Sequence, residues 1–175
     1  MRRLQFGVIG SCSDLNFSSD ATEFAKKLGK LIAENGHTLI FGAEKDVNSL
    51  PTIAALSAKE FGGETVGLSY ERGLDTYIED SASVIMSSAL IRGGGRETAL
   101  MLSCDVVIAI SGGSGTLTEM SIAYQAGVPV IAVTGFGGWS DKLAGTYLDN
   151  RKRAKFEPAS TPEQAYELAF KSVKK

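Results

Sequence analysis

The segment 112–116, with the sequence Gly-Gly-Ser-Gly-Thr, has the residue types that point most directly to chemistry. It follows the apolar run 106–110 and precedes the helical pattern 117–125. Glycines let main-chain N–H groups approach a ligand, and a helix that starts there directs the positive end of its dipole toward the same place. The pattern predicts a site for a phosphate or similar anion, formed by Gly112, Gly113, Ser114, Gly115 and Thr116.

Glu119 lies one turn into the predicted helix, and two interpretations of it remain open. In the first, Thr116 is the N-cap residue and Glu119 bonds back to the Thr116 backbone, as in a capping box. In that structural reading Arg96 pairs with Glu119, and the site has no chemical role. In the second, the Glu119 carboxylate faces the bound ligand.

Arg96 follows three consecutive glycines, 93–95, and opens a predicted helix over 96–103. The guanidinium group is a planar fork of donors that suits a carboxylate or phosphate better than lysine does. Glycines immediately before it indicate a guanidinium held in a defined position. We therefore expect Arg96 to reach the site from a different direction than the glycine loop does.

The elements that must position these residues alternate between short apolar runs and helical patterns. The runs at 4–9, 38–41, 65–69, 83–87, 106–110 and 128–133 predict strands, as does the short segment 153–157. This alternation predicts one domain over residues 1–175, an α/β Rossmann-like fold with three layers (α/β/α) and a mainly parallel sheet of about seven strands. Ligands of such sheets bind outside the carboxyl ends of the strands, where the loops 10–14, 42–50, 112–116 and 134–140 should converge.

Composition favours a soluble protein of the cytoplasm and excludes several other classes. Of the 175 residues 43% are hydrophobic and 22% charged, and the formal net charge is −2. The basic segment 151–155 is short and lacks interleaved aromatic residues, so no nucleic-acid partner is expected. No apolar run approaches the roughly 20 residues that a membrane span needs. Cys12 and Cys104 form no metal-binding pattern, and no metal site is predicted.

Other reactive residue types have structural interpretations that outweigh catalysis. His37 is the only histidine and is predicted at a helix-to-strand turn on the edge opposite the site. Cys12 lies in a loop that faces the pocket but has no histidine partner, and Cys104 is expected to be packed. Trp139 either stacks on a ligand from a mobile lid or packs at the rim. Tyr70 and Arg72 could also reach the crevice.

The stretch from Arg96 through the apolar strand to the Gly-Gly-Ser-Gly-Thr loop and Glu119 resembles the LOG family, once mislabelled as lysine decarboxylases. Gly10 and Ser11 after the first strand also match the family pattern. Within the superfamily the chain is most similar to the short prokaryotic branch that includes molybdenum-cofactor carrier proteins. The spacing of an upstream arginine and a downstream glutamate around the loop makes the resemblance fairly specific.

The resemblance implies hydrolysis of the N-glycosidic bond of a nucleoside 5′-monophosphate, a phosphoribohydrolase reaction, with Arg96 and Glu119 as the catalytic residues. It implies that Gly10, Ser11, Gly42 and the glycine loop bind the nucleotide or phosphate, that no further cofactor is required, and that the chain forms a homodimer or higher homo-oligomer. The alternative implied by the same resemblance is a carrier that binds a nucleotide or the molybdenum cofactor without chemistry.

Three departures from the family pattern bear on this choice. The loop 42–51 carries one glycine where relatives have several, and its Glu44 and Asp46 should repel phosphate unless Lys45 offsets them. This loop therefore either contacts a sugar or base or serves another ligand. Ser111 and Thr118 stand where catalytic relatives often have proline and glutamate. Glu97 replaces a basic residue, which should lower anion affinity.

Overall fold

The computed structural model describes residues 2–174, which form seven strands and six α-helices. The strands are β1 (Gln5–Gly10), β2 (Thr38–Ala43), β3 (Glu64–Ser69), β4 (Val84–Ser87), β5 (Val106–Ile110), β6 (Val130–Val133) and β7 (Glu157–Ala159). The helices are α1 (Ser19–Glu34), α2 (Leu50–Glu60), α3 (Arg96–Leu102), α4 (Ser114–Ala126), α5 (Gly138–Leu143) and α6 (Pro162–Val173). All strand pairs are parallel, in the order β4-β3-β2-β1-β5-β6-β7. The predicted seven-stranded α/β fold is confirmed.

Two hydrophobic cores cover the two faces of the sheet. Successive side chains of a strand point to opposite faces, so Phe6 and Val8 of β1 pack with α1, α2 and α6. Ile9 of β1 and Val107 of β5 pack on the other face with α3 and α4. β5 is buried along its whole length, as expected for a central parallel strand covered on both faces.

Polar side chains determine where three of the helices begin. Ser18 precedes α1 and accepts a hydrogen bond from the Ala21 N–H group, and Ser49 does the same for Thr52 at the start of α2. Thr161 caps α6 with Pro162 in the first turn, as predicted from the sequence. These caps satisfy N–H groups that the first turn leaves without helical partners.

Two local predictions are wrong. The helix after the glycine loop begins at Ser114 rather than at residue 117, and Gly113 occupies its N-cap position without a side-chain cap. The last strand lies at Glu157–Ala159 rather than 153–157, because Phe156 is buried in the core while Lys155 forms only an isolated bridge with Tyr147. Trp139, for which a mobile lid and packing at the rim were both left open, lies in helix α5.

The strand order changes direction between β1 and β5, which lie side by side although three strands separate them in the chain. This is the switch point at which parallel sheets open a crevice at their carboxyl edge. Gly10 ends β1 and the glycine loop follows β5, so both loops lie at this point. In the described part of the chain, no helix is long and apolar enough to cross a lipid bilayer.

Candidate functional site

A cavity of about 230 Å³ lies at the switch point. Its walls come from the ends of β1 and β2, the start of α4 and the start of α3, including Gly10, Gly42, Gly115 and Arg96. Three of the four loops that the sequence predicted to converge meet here. The fourth, 134–140, does not line the cavity; it packs behind the glycine loop, where the Trp139 N–H group donates to the Gly112 carbonyl over 2.9 Å.

The start of α4 presents main-chain donors to the cavity. Gly113, Ser114, Gly115 and Thr116 all line it. Within residues 2–174, the N–H groups of Ser114, Gly115 and Thr116 have no hydrogen-bond acceptor. Unpaired N–H groups at the positive end of a helix dipole form a binding site for a phosphate or other anion.

Ser11 and Gly112 support this loop from behind and do not line the cavity. The Ser11 hydroxyl is buried; it accepts a hydrogen bond from the Gly112 N–H over 2.9 Å and donates to Ser111 Oγ over 3.1 Å. Gly112 has a φ of +100°, and a Cβ there would overlap the Thr116 side chain. These two residues therefore shape the loop, and the Gly112 N–H group is already paired.

Glu119 points into the cavity from the second turn of α4. Glu119 is only 8% exposed. Within the described chain, no group donates a hydrogen bond to its carboxylate or forms an ion pair with it. Burial raises the pKa of Glu119 to about 7, against the opposing effect of Arg96. Because α4 starts at Ser114, Thr116 is not the N-cap and the capping-box interpretation is wrong. Arg96 and Glu119 form no ion pair either.

Arg96 is the first residue of α3 and is 3% exposed. Its Nη2 lies 3.1 Å from Glu44 Oε1 and also donates to the Tyr70 hydroxyl, while the guanidinium stacks 4.1 Å from the Tyr70 ring. Nε and Nη1 are buried and have no hydrogen-bond partner. Burial acts to lower the pKa of Arg96, but Glu119, Tyr70 and Glu44 outweigh it and keep the pKa above its ordinary value.

Glu44 is neutralised by two arginines. Arg92 Nη2 lies 2.7 Å from Glu44 Oε2, on the side of the carboxylate opposite Arg96. Lys45 does not offset the charge of Glu44, because Lys45 is exposed and makes no ion pair with Glu44. The Glu44 carboxylate therefore positions two guanidinium groups.

Tyr70 and Glu97 complete the arrangement. The Tyr70 hydroxyl donates to Glu97 Oε1 over 3.1 Å, and burial raises the pKa of Tyr70 to about 12, so the phenol stays protonated. Burial acts to raise the pKa of Glu97, but main-chain hydrogen bonds at Glu97 and Gly93, the Tyr70 hydroxyl and Arg96 lower it overall. Glu97 thus carries a fixed negative charge behind Arg96.

Arg92 is the site residue that sequence reasoning missed. Its signal was present, since arginines flank the glycines 93–95 on both sides, but only the second one matches the family pattern. Its partner Glu44 lies 48 positions earlier in the chain, so no local pattern reveals their contact.

The remaining predicted candidates have mostly structural surroundings. Burial raises the pKa of Cys12 to about 11 and that of Cys104 to about 12, so neither thiol ionises readily. His37 stacks 5.1 Å from the Phe6 ring near the amino ends of the strands, in agreement with its structural interpretation. Arg72 is exposed and lines no described cavity. Across residues 2–174 no cluster of acidic, histidine or cysteine side chains could hold a metal ion.

Comparison with known proteins places this geometry in a family. The model of the SLOG cluster4 family matches residues 3–166. The solved structure of TM1055 superposes with a TM-score of 0.85 at 27% identity, over 96% of this chain and 99% of the other. The molybdenum cofactor binding protein from Rippkaea orientalis gives 0.82 at 29% identity over 100% and 99%. A molybdenum cofactor carrier protein from Chlamydomonas reinhardtii gives 0.80 at 26% identity, over 99% of both chains.

Proposed function

The chain belongs to the SLOG cluster4 family, and we propose that it binds a nucleoside 5′-monophosphate at the switch-point cavity and hydrolyses its N-glycosidic bond. The observation that supports this proposal is the unpaired, buried Glu119 carboxylate beside three unpaired N–H groups of α4. The N–H groups would hold the 5′-phosphate. The carboxylate would then face the sugar of the same ligand.

The chemistry matches a carboxylate in this position. As the bond between the base and C1′ of the ribose breaks, the electron pair leaves with the base and positive charge develops on the sugar ring. Glu119 stabilises that charge and orients a water molecule, whose oxygen bonds to C1′ and whose proton passes to the departing base. The products are the free base and ribose 5-phosphate. Only the ionised carboxylate performs this role, so base release increases as the pH rises through about 7.

Arg96 has the role of a positioning group in this proposal. Nη2 is committed to Glu44 and Tyr70, which leaves Nε and Nη1 with unused donor capacity. A ligand oxygen or a reoriented Glu119 would satisfy these donors. A planar guanidinium held by Glu44 and Tyr70 is pre-organised and loses little side-chain entropy when the ligand binds.

The second candidate function is a carrier that binds a phosphate-bearing pterin, such as the molybdenum cofactor, and releases it unchanged. Two observations favour it: the structural neighbours named as molybdenum cofactor binding and carrier proteins, and the hydrogen bonds that Arg96 Nη2 donates to Glu44 and Tyr70 rather than to a ligand. The same N–H groups of α4 would bind the phosphate of the pterin.

One experiment separates the two candidates. The purified protein is incubated with AMP, GMP, CMP and UMP, and free base is measured by chromatography. Base release that falls at least about 100-fold in Glu119→Gln, and is unchanged in the exposed control Glu60→Gln, supports the hydrolase. Absence of base release from all four nucleotides, with thermal stabilisation by a nucleotide or pterin, supports the carrier instead. If the protein shows neither base release nor thermal stabilisation, both candidate functions are contradicted.

We further propose that the protein is cytoplasmic and that its partner is a small molecule rather than nucleic acid.

We also propose that the chain assembles as a homodimer or larger homo-oligomer through α3 and α4. Leu102 at the end of α3 is 61% exposed, which suits a residue covered by a second copy. Light scattering during size-exclusion chromatography measures the mass directly. Leu102→Asp should shift that mass toward the 18.5 kDa of one chain.

A further inference from the structure

A second cavity, of about 260 Å³, lies beside the first along the carboxyl edge of the sheet. Its walls come from the segments that follow β2 and β3, and three residues border both cavities: Glu44, Tyr70 and Arg92. Since β3 neighbours β2 and β2 neighbours β1, the two cavities follow one another along the same edge. They are separated by a single partition of three side chains.

On its solvent-exposed side, this partition consists of the Arg92 side chain. Glu44 is buried and Tyr70 is half-buried, whereas the Arg92 side chain is 63% exposed. Arg92 is held by Glu44 Oε2 at 2.7 Å and by stacking 4.6 Å from the Tyr70 ring. Gly93 and Gly95, which follow it, both have positive φ values, a conformation that glycine adopts without strain.

The sizes of the cavities support a shared ligand. Each cavity is smaller than the roughly 300–1,000 Å³ of typical ligand pockets, while both together fall inside that range. A nucleotide whose phosphate lies at the α4 N–H groups would therefore extend beyond the first cavity. The neighbouring cavity offers the space for its other end.

The two cavities are lined by similar numbers of charged side chains, and they differ in which polar groups remain unpaired. The first has unpaired N–H donors at the start of α4, which select an anion. The second is lined by the carboxylate side chains of Glu44, Asp46, Glu71 and Asp75. Among the described residues, the carboxylates of Asp46 and Asp75 accept no hydrogen bond, and both are exposed to solvent. This cavity suits a group rich in N–H donors.

We propose that the two cavities form one elongated binding site, and that the second selects a heterocycle bearing an exocyclic amino group and a ring N–H, as guanine and pterins do. Asp46 and Asp75 accept those hydrogen bonds, and the ligand crosses the partition on its solvent-exposed side, against Arg92. The inference rests on the proposed function, because it assumes that the phosphate end lies at α4. It names the ligand class within that function.

The test compares ligands that differ at one end only. Dissociation constants for GMP, inosine 5′-monophosphate and ribose 5-phosphate are measured by calorimetry; where base is released, KM replaces the dissociation constant. Inosine 5′-monophosphate lacks only the exocyclic amino group of GMP, and ribose 5-phosphate lacks the base. We expect GMP to bind about tenfold more tightly than inosine 5′-monophosphate, the magnitude of one lost hydrogen bond to a charged group.

Variants locate the effect in the second cavity. Asp46→Asn/Asp75→Asn should weaken GMP binding about tenfold and leave ribose 5-phosphate binding within twofold. The control Glu60→Gln/Glu64→Gln removes the same charge at the opposite edge of the sheet, where both residues are exposed, and should affect neither ligand. Equal affinities for GMP and inosine 5′-monophosphate, or equal losses for GMP and ribose 5-phosphate in the double variant, would overturn the inference while the proposed phosphate site stands. If neither GMP nor ribose 5-phosphate binds, both proposals fail.

Discussion

Gly42 lies directly against the guanidinium group of Arg96. A Cβ atom built on Gly42 would overlap Arg96 Nη1 and would stand 2.9 Å from Cζ. The absence of a side chain at the end of β2 therefore determines where the buried arginine of the site can lie. Gly42 was predicted as a ligand-binding residue, and it does line the cavity, but its contact with Arg96 gives it a second role.

Gly42→Ala should displace Arg96 and weaken the binding of a nucleoside monophosphate roughly 10- to 100-fold, the usual effect of misplacing a site group by about 1 Å. A double-mutant cycle with Arg96→Ala tests the cause. If Gly42→Ala acts through Arg96, it produces no further loss in the Arg96→Ala background. Equal losses in both backgrounds would contradict this explanation.

The buried Glu119 carboxyl should make stability depend on pH. Burial raises its pKa in the folded chain from 4.5 to about 7. Between these two values the folded state binds more protons than the unfolded state, so the free energy of unfolding falls as the pH rises. At about 1.4 kcal/mol per pKa unit, the loss is on the order of 3 kcal/mol.

Urea unfolding of the wild-type protein and of Glu119→Gln at pH 5 and pH 8 measures the contribution of Glu119 to the free energy of unfolding. The wild-type protein should lose more stability than the variant between the two pH values, because glutamine does not titrate. A parallel loss in both proteins would show that Glu119 is not the group responsible.

Ser11→Ala should damage the glycine loop without touching the ligand. The substitution leaves the N–H group of Gly112 buried without its acceptor, which costs about 1–3 kcal/mol. Denaturant unfolding measures that loss, and phosphate affinity should fall with it as the loop loosens. Ser172→Ala serves as the control, since the Ser172 hydroxyl bonds only a carbonyl within α6 and its loss should change stability by less than about 1 kcal/mol.

Cys12 should be slow to react although it lines the cavity. Burial and the nearby acidic groups raise the pKa of its thiol from 9.0 to about 11. The thiolate fraction at pH 8 is therefore about 100-fold lower than in the unfolded chain, and alkylation by iodoacetamide should slow by a similar factor. Mass spectrometry of digested protein measures the rate at each cysteine. If Cys12 in the folded protein is alkylated as fast as in urea, burial does not raise the pKa of its thiol.

Much of the fold could be predicted because its signals are local. The apolar runs lie within or close to β1, β2, β3, β5 and β6, and the N-cap of α6 was correctly identified. The start of α4 was misplaced because Ser114, Gly115 and Thr116 have poor helix propensity, and tertiary packing of the loop on α5 overrides it. β7 was misplaced because a strand of three residues is too short for the alternation of its side chains to show where it begins.

The sequence by itself determined the alternation of strands and helices, the glycine loop after β5 and the presence of Arg96 and Glu119 at family spacing, since each depends on neighbouring residues. Only the tertiary structure decided which charges meet. Glu44 reaches Arg96 across 52 positions and Arg92 across 48, while Glu119 finds no partner in the described chain. Ion pairing and burial depend on how β2, α3 and α4 come together at one edge of the sheet, and that arrangement results from the packing of both cores rather than from any local pattern.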